Sequence, residues 1–357
     1  METIIKKSGK GQLPGHLTVL LTILICSALT ACSSDENDSS TLLVHIEGWS
    51  MSKLAFVIAA DQGFYEKHGL DVKLTMSPPE FEGARIPKAP ILTRVMRNLG
   101  MQEYPQPEIL VTGHTPIIYD QVMYANTPKR VALASTDCSV RYYVVARDGI
   151  ERVEDIHGKR IGVNAVRTTS GFAALRLIER MNWDRRYDVA IMERGRNVEF
   201  LKSGRVDVVV GGDETFEAAQ REGLNVLQDT RSWNENLAGN SASVETGWLD
   251  DSGNRNKAQR FLMAALEGLA LFHQDPELAI DIAMRWYGFP TLEMAQGRYA
   301  RADYVPLKPY PCYQGIENTM RIHDSHEMRQ YKPEDFYDDS LLKELDQSGF
   351  IDALYSQ

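Results

Sequence analysis

Residues 41–76 read TLLVHIEGWSMSKLAFVIAADQGFYEKHGLDVKLTM, and this stretch sets the fold class. Thr41 to Glu47 is a short apolar run, the pattern of a largely buried strand. Gly48 and Trp49 end it, Ser50 is placed as an N-cap, and Met51 to Ala60 carries apolar residues at helical spacing. Asp61 to Gly69 reads as a helix end, a short turn and a glycine stop. Leu70 to Met76 alternates as a second strand. Strand, helix and strand in close succession form the unit from which parallel sheets are built.

The same grammar extends outward. Glu108 to Thr112 is a strand, and Thr115-Pro116 opens a helix reaching Ala125, with proline in its first turn. Arg130 to Ser135 and Tyr142 to Arg147 are strands. Then come a strand at Ile161–Asn164, a helix at Ser170–Met181, a strand at Val189–Met192 and a helix at Asn197–Ser203. Val206 to Val210 (VDVVV) is a nearly all-apolar strand that suits a buried parallel position. A helix at Glu214–Glu222 and a strand at Asn225–Leu227 follow. From Lys257 the chain is mainly helical, over 257–273, 276–287, 291–301 and 340–354. Residues 77–107 are irregular and proline-rich around one helix near Ile91–Leu99. The expected class is α/β with open parallel sheets.

The chain has 357 residues, 39 Lys+Arg against 49 Asp+Glu, and a formal charge of −10. It is too apolar for a disordered chain and too acidic for a general nucleic-acid binder. At roughly 100–200 residues per domain, its length suggests two domains. Lys6, Lys7 and Lys10 precede an apolar stretch from Leu17 to Leu29. That stretch is shorter than the roughly 20 residues a membrane-spanning helix needs, and it fits a secretory leader. It ends in Leu29-Thr30-Ala31-Cys32, followed by a polar run from Ser33 to Ser40. This resembles the lipobox of bacterial lipoproteins; an ordinary signal peptide with a chance cysteine is the plainer alternative. The resemblance implies a leader at 1–31, a lipid on Cys32, and a flexible tether at 32–41. The mature chain would then lie outside the cytoplasmic membrane, in the periplasm or on the cell surface. Losing 1–31 removes three lysines and one glutamate and leaves a charge of −12. Cys138 and Cys312 are then the mature cysteines in question. A disulfide between them and a buried free thiol are both open.

Several segments together resemble one family. GWSMSKLAFVIAADQGFYEKHGLDVKL (48–74) is similar to the opening of the extracytoplasmic solute-binding proteins of ABC importers. The branch handles nitrate, alkanesulfonates, taurine and the pyrimidine precursor of thiamine. Asn126 to Ala132, GIERVEDIHGKRIGV (149–163), FLKSGRVDVVVGG (200–212) and DPELAIDIAMRWYG (275–288) continue the likeness. Residues 77–107 and 303–339 depart from it. The resemblance implies a bilobal clamshell of the type 2 periplasmic-binding-protein kind, two open α/β lobes joined by a two-crossover hinge. One lobe would hold 42–138 and 245–357, the other 139–244. Ligand would bind between them, beyond the carboxyl ends of the strands. The implied partners are a small-molecule solute, an ABC permease and its ATPase, and the membrane through the lipid anchor. No nucleic acid, cofactor or metal is implied, and the chain is expected to be monomeric and not an enzyme.

Three strand-to-helix loops are candidate ligand contacts. In Trp49-Ser50-Met51, Ser50 and nearby N–H groups suit an anion, and Trp49 could stack on a flat ligand; plain capping and core packing are the alternatives. In Gly113-His114-Thr115, Gly113 lets a ligand approach the backbone, and His114 or Thr115 could donate to it; a surface or helix-capping role is the alternative for His114. Thr168, Thr169 and Ser170 supply hydroxyls at a helix start, where the dipole favours an anion; plain capping is the alternative. Asp213 and Glu214 follow the VDVVV strand and suit an amine; the alternative is an N-cap and a first-turn charge. Asp137, Arg141, Arg167, Ser241 and Ser243 near the crossovers are weaker candidates, the arginines for bidentate binding of a sulfonate or carboxylate.

Other classes have weaker support. The fold family includes a thiamine-pyrimidine synthase with a cysteine-rich segment, which has no counterpart here. No GxSxG, Walker A, HExxH or GxGxxG motif occurs. His323 and His326 have metal-capable side chains, but a solvated polar face is the simpler reading. A pyrimidine-precursor binder and a sensor lipoprotein that reports ligand without import are the alternatives within the same fold.

Overall fold

The computed structural model describes residues 40–76 and 106–356. The leader, Cys32, the tether through Ser39 and the expected helix near Ile91–Leu99 lie outside the described residues. The strands are β1 (Thr41–Ile46), β2 (Asp71–Met76), β3 (Ile109–Gly113), β4 (Arg130–Ser135), β5 (Tyr143–Ala146), β6 (Arg160–Gly162), β7 (Ala190–Met192), β8 (Val208–Gly211), β9 (Asn225–Asp229) and β10 (Asn240–Glu245). The helices needed here are α1 (Leu54–Asp61), α2 (His114–Met123), α3 (Thr169–Arg180), α4 (Asp213–Glu222), α5 (Ser252–Gln274), α6 (Pro276–Tyr287), α7 (Leu292–Ala300), α8 (Tyr313–Ile322), α9 (Ser340–Gln347) and α10 (Phe350–Leu354).

The strands form two sheets, ordered β2-β1-β3-β10-β4 and β7-β6-β8-β5-β9. This is the expected two-lobed α/β class, but the sheets are mixed rather than parallel. β10 runs antiparallel to β3 and β4, and β5 antiparallel to β8 and β9. The reason lies in the crossovers. The parallel strands end towards the space between the lobes, whereas a strand arriving from the other lobe must start there. β5 and β10 are those two arrivals. The VDVVV strand therefore sits between a parallel and an antiparallel neighbour. β10 also moves a boundary: residues 240–244, assigned to the second lobe from sequence, hydrogen-bond in the first sheet.

α1 is apolar on all sides because it is buried on all sides. Leu54, Phe56 and Ile58 share a core with Ile46 of β1 and with Phe261 and Leu266 of α5. Gly268 lets α5 approach: a Cβ there would lie 2.2 Å from the Ala55 carbonyl oxygen. At the end of α1, Asp61 accepts bonds from Arg285 at 2.6 and 3.0 Å and from the Trp286 indole at 2.6 Å. The second lobe closes around Ile161, Phe172, Leu177, Val208 and Val210.

The crossovers run side by side. Ser139 and Asn236 form an antiparallel bridge, Val140 N–H donates to Glu235 O at 3.0 Å, and Leu237 N–H donates to Cys138 O at 3.0 Å. Gly239 permits the approach, since a Cβ there would meet the Asp137 carbonyl oxygen at 2.1 Å. The C-terminal segment then locks the pair. Cys312 forms a disulfide with Cys138, 174 residues away, which answers the question the sequence left open. α8, unread in the sequence, packs its Gly315 against the second crossover; a Cβ there would sit 2.1 Å from Leu237 O. The expected helix over 340–354 breaks at Gly349, which has a φ of +79°.

Glycine inside a helix normally costs about 1 kcal/mol relative to alanine, so Gly315→Ala on helical grounds alone should stabilise. The contact with Leu237 reverses that sign. Gly315→Ala is expected to destabilise by about 1–3 kcal/mol, the usual range for overpacking. Denaturant unfolding checks it; a midpoint at or above the parent's would show that α8 does not bear on the crossover.

Candidate functional site

A cavity of about 1010 Å³ lies between the lobes, where the parallel strands end. The first lobe contributes Glu47 to Met51 after β1, Lys53, and Gly113 at the end of β3; the second contributes Arg167 to Thr169 at the start of α3 and Gly212 to Glu214 at the start of α4. Of the residues singled out in the sequence, Trp49, Ser50, Met51, Gly113, Thr168, Thr169, Asp213, Glu214, Asp137, Arg141 and Arg167 all line it. Their local roles differ from expectation in places. Ser50 is not a side-chain cap; its hydroxyl bonds Ser52 at 2.9 Å and accepts from the Asn240 amide at 3.3 Å. Trp49 meets Phe289 edge-on at 5.0 Å and carries the Arg298 guanidinium over its ring at 4.5 Å, so that ring face is already covered. Thr168 caps nothing either; its hydroxyl donates to Ala165 O at 2.7 Å, leaving the first turn of α3 without a side-chain cap. Gly212 is the N-cap of α4, and Asp213 and Glu214 are both first-turn charges.

Five candidates lie outside the cavity lining. His114 and Thr115 face the hinge: their N–H groups donate to Gly239 O at 2.7 Å and Ala238 O at 2.8 Å, and the Thr115 hydroxyl also bonds Ala238 O at 2.8 Å. The His114 ring is buried, donating from Nε2 to Phe336 O at 2.9 Å and accepting at Nδ1 from the Ser241 hydroxyl at 3.2 Å. Ser170 is buried beneath the loop, where its hydroxyl accepts from Asn164 N–H at 3.1 Å. Ser243 is buried in β10 and donates to Leu110 O at 3.2 Å. These residues hold the loops that form the cavity. Of the two histidines weighed as metal-capable, His323 is buried at the end of α8, its ring 5.1 Å from that of Tyr119. Among the described residues no group of three or more His, Cys, Asp or Glu is placed to hold a metal.

The cavity also contains residues that the sequence reading passed over: Glu47, Lys53, Asp120, Tyr142, Arg196, Asn240, Arg298 and Tyr304. Glu47 and Asn240 had a signal, because both sit at a strand end facing the cleft. Arg298 and Tyr304 had none, since long-range packing brings them in. Lys53 is buried; its ammonium donates to the Glu47 and Gly48 carbonyls. Burial lowers its pKa to about 8, against the pull of Glu47, Asp137 and Glu214. Arg141 lies 3.0 Å over the Tyr304 ring and donates from Nη2 to Asp137 at 2.8 Å. Burial opposes its charge, but Asp137 outweighs that and holds the guanidinium ionised. Its Nε is buried without a partner, as is Oδ1 of Asp120, and both residues line the cavity.

Beside the cavity, ion pairs join the lobes from α3 to α2 and from α7 to α4; away from it, Arg321 of α8 also reaches Glu179 of α3 at 2.6 Å. Arg167, before α3, reaches Asp120 of α2 at 2.5 Å. Opposite, Arg298 of α7 and the adjacent Arg301 grip α4. Arg298 Nη2 donates to Glu217 at 2.7 Å, and Arg301 donates to Glu217 at 2.8 Å and to Asp213 at 3.0 Å.

A family model described as NMT1/THI5 like matches residues 130–279, which span the second lobe, both crossovers and α5. Over that stretch, less than half of the chain, the sequence is similar to the NMT1/THI5-like proteins. No curated protein sequence matches it significantly. Three solved structures place its fold. The periplasmic aliphatic sulphonate-binding protein SsuA from Escherichia coli is 17% identical with a TM-score of 0.58, covering 80% of this chain and 86% of that one. The periplasmic nitrate-binding protein NrtA from Synechocystis PCC 6803 is 12% identical, TM-score 0.60, covering 87% and 89%. The desulfurization enzyme DSZB is 15% identical, TM-score 0.60, covering 85% and 99%. The chain thus has the periplasmic-binding-protein fold, a fold shared by binding proteins and at least one enzyme.

Burial lowers the His114 pKa to about 4, more than its bond to Phe336 restores. Above pH 6.5 both folded and unfolded forms are neutral there. Between pH 6.5 and about 4 the unfolded imidazole takes a proton that the folded one refuses, so stability falls as pH falls. His114→Gln should lower the melting temperature at pH 7 yet decline less between pH 6.5 and 4. Parallel curves for parent and variant would place the charge change elsewhere.

Proposed function

We propose that the chain is the extracytoplasmic solute-binding component of an ABC importer, capturing a small organic anion or zwitterion in the interlobe cavity. The observation that carries this reading is the cavity itself, lined from both lobes and flanked by ion pairs that exist only when the lobes meet. A ligand touching both lobes has differential affinity for the closed form, which is what closure requires. The uncapped first turn of α3, with Thr168 and Thr169, offers N–H groups, hydroxyls and a favourable dipole for the anionic part. The sulphonate- and nitrate-binding neighbours support the same class. The reading includes no bond chemistry in the cleft, and it includes a lipid on Cys32 tethering the protein beside its permease.

Ligand-induced thermal shift across sulfonates, nitrate, taurine and the thiamine-type pyrimidine tests it. Ligand at about 100 times its Kd adds about 2.7 kcal/mol; no shift with any of them would remove the proposed ligand class. Conversion of a bound solute by catalytic amounts of protein would assign an enzyme instead. The double variant Thr168→Ala/Thr169→Ala should bind the anion several-fold more weakly, whereas Ser170→Ala should act on stability. Equal affinity in the double variant would take the α3 loop out of the site. For the anchor, Cys32→Ser expressed with its leader should leave the detergent phase for the aqueous phase; retention with lipid would contradict the assignment.

A further inference from the structure

The charges of the cavity are unevenly matched. Asp120, Asp137, Asp213 and Glu214 each face an arginine, at 2.5, 2.8, 3.0 and 3.6 Å. Glu245 faces Arg130 at 3.7 Å. Glu47 differs from them. It lines the cavity with an exposed side chain and carries no ion pair among the described residues. Among the described residues its carboxylate accepts one bond, from the Thr112 hydroxyl at 2.9 Å. The neighbouring cation, Lys53, is turned to the Glu47 and Gly48 carbonyls instead. Meanwhile Asp213 and Glu214, the acids that the sequence offered for an amine, are engaged by Arg301 and Arg196.

Glu47 is also held in place. Its N–H donates to Val111 O at 2.9 Å, and its carbonyl accepts from Lys53. A fixed carboxylate with acceptor capacity left over, inside a cleft, is suited to a cationic donor on a ligand, because bonds to charged groups are the strong ones. Size argues alongside charge. One water occupies roughly 30 Å³, so an inorganic oxyanion would fill a small part of a cavity of about 1010 Å³. Volumes of this order suit organic ligands of many atoms.

We infer that Glu47 selects the solute, receiving a protonated amine or amidine on an organic molecule whose anionic part is held elsewhere in the cleft. This rests on the solute-binding reading above and narrows it to cation-bearing organic solutes.

The test compares paired probes by calorimetry on the parent and on Glu47→Gln, which keeps the shape and removes the charge. The pairs are taurine with ethanesulfonate, and cyclohexylaminopropanesulfonate with cyclohexylpropanesulfonate. The parent should prefer the amine-bearing member of at least one pair by about tenfold or more, and Glu47→Gln should bring that ratio close to one. Glu47→Asp should restore part of it, and matched melting curves confirm that all three proteins are folded. Equal affinities within each pair for the parent, or a preference that survives in Glu47→Gln, would overturn the inference while leaving solute binding intact. Failure of all four probes to bind would overturn this inference for sulfonate-type solutes, while the solute-binding reading falls only if nitrate and the thiamine-type pyrimidine of the thermal-shift panel fail as well.

Discussion

Two short peptide segments pass between the lobes, and they are hydrogen-bonded to each other as an antiparallel pair around Ser139 and Asn236. Nearly every functional position follows from that pairing. Because each crossover enters its new sheet from the cleft side, β5 and β10 run against their neighbours, and the remaining strands deliver their carboxyl ends to the same gap. Because Gly239 brings the segments into contact, His114 and Thr115 can bond to the second crossover, which fixes the start of α2 and one wall of the cavity. The hinge is thus a small element with large leverage: a few backbone bonds set the relation between two hydrophobic cores.

The cavity is polar and its charges largely cancel, which bears on the acidity of the chain. A net charge of −10 gives the surface no general attraction for anions. Under the proposed reading an anion would have to be held by placed donors, and most of the arginines in the cleft are already committed to carboxylates. Those pairs serve two ends. Arg141 is kept charged and oriented between Asp137 and the Tyr304 ring, and Arg298 and Arg301 tie α7 to α4 across the gap. Such pairs weigh desolvation against attraction, so they are better understood as devices of geometry than as sources of stability.

What the sequence made legible followed local physics. The apolar run of β1, the helical spacing of α1 and the glycine stop at Gly69 depend on neighbours a few residues away, so they could be read in order. Loop positions such as Thr168, Thr169 and Asp213 were found because strand-to-helix turns gather where open α/β sheets bind ligands. What escaped was non-local. His114 looks like a donor in a loop until the crossover, more than a hundred residues later in the chain, claims it. Ser241 and Ser243 vanish into β10, a strand whose small polar residues give no apolar pattern. Arg298 and Tyr304 reach the cleft only because α7 folds back across it. Glu47 was within reach of the same strand-end rule that found Trp49 and Ser50.

The link between Cys138 and Cys312 has a consequence for how the molecule is assembled during synthesis. The second lobe is continuous in the chain, so its sheet can close as soon as β9 has emerged. The first lobe is interrupted: β1 to β4 appear early, but β10, which fits between β3 and β4, and α5, the cover of α1, arrive only after the whole second lobe. The hinge is finished later still, when α8 and Cys312 come within reach of segments made 174 residues before. Until β10 arrives the early strands present an open gap in their sheet, the kind of unpaired edge that invites wrong partners. A chain cut short before residue 312 would keep every described strand yet lack the disulfide that ties the C-terminal segment to the first crossover.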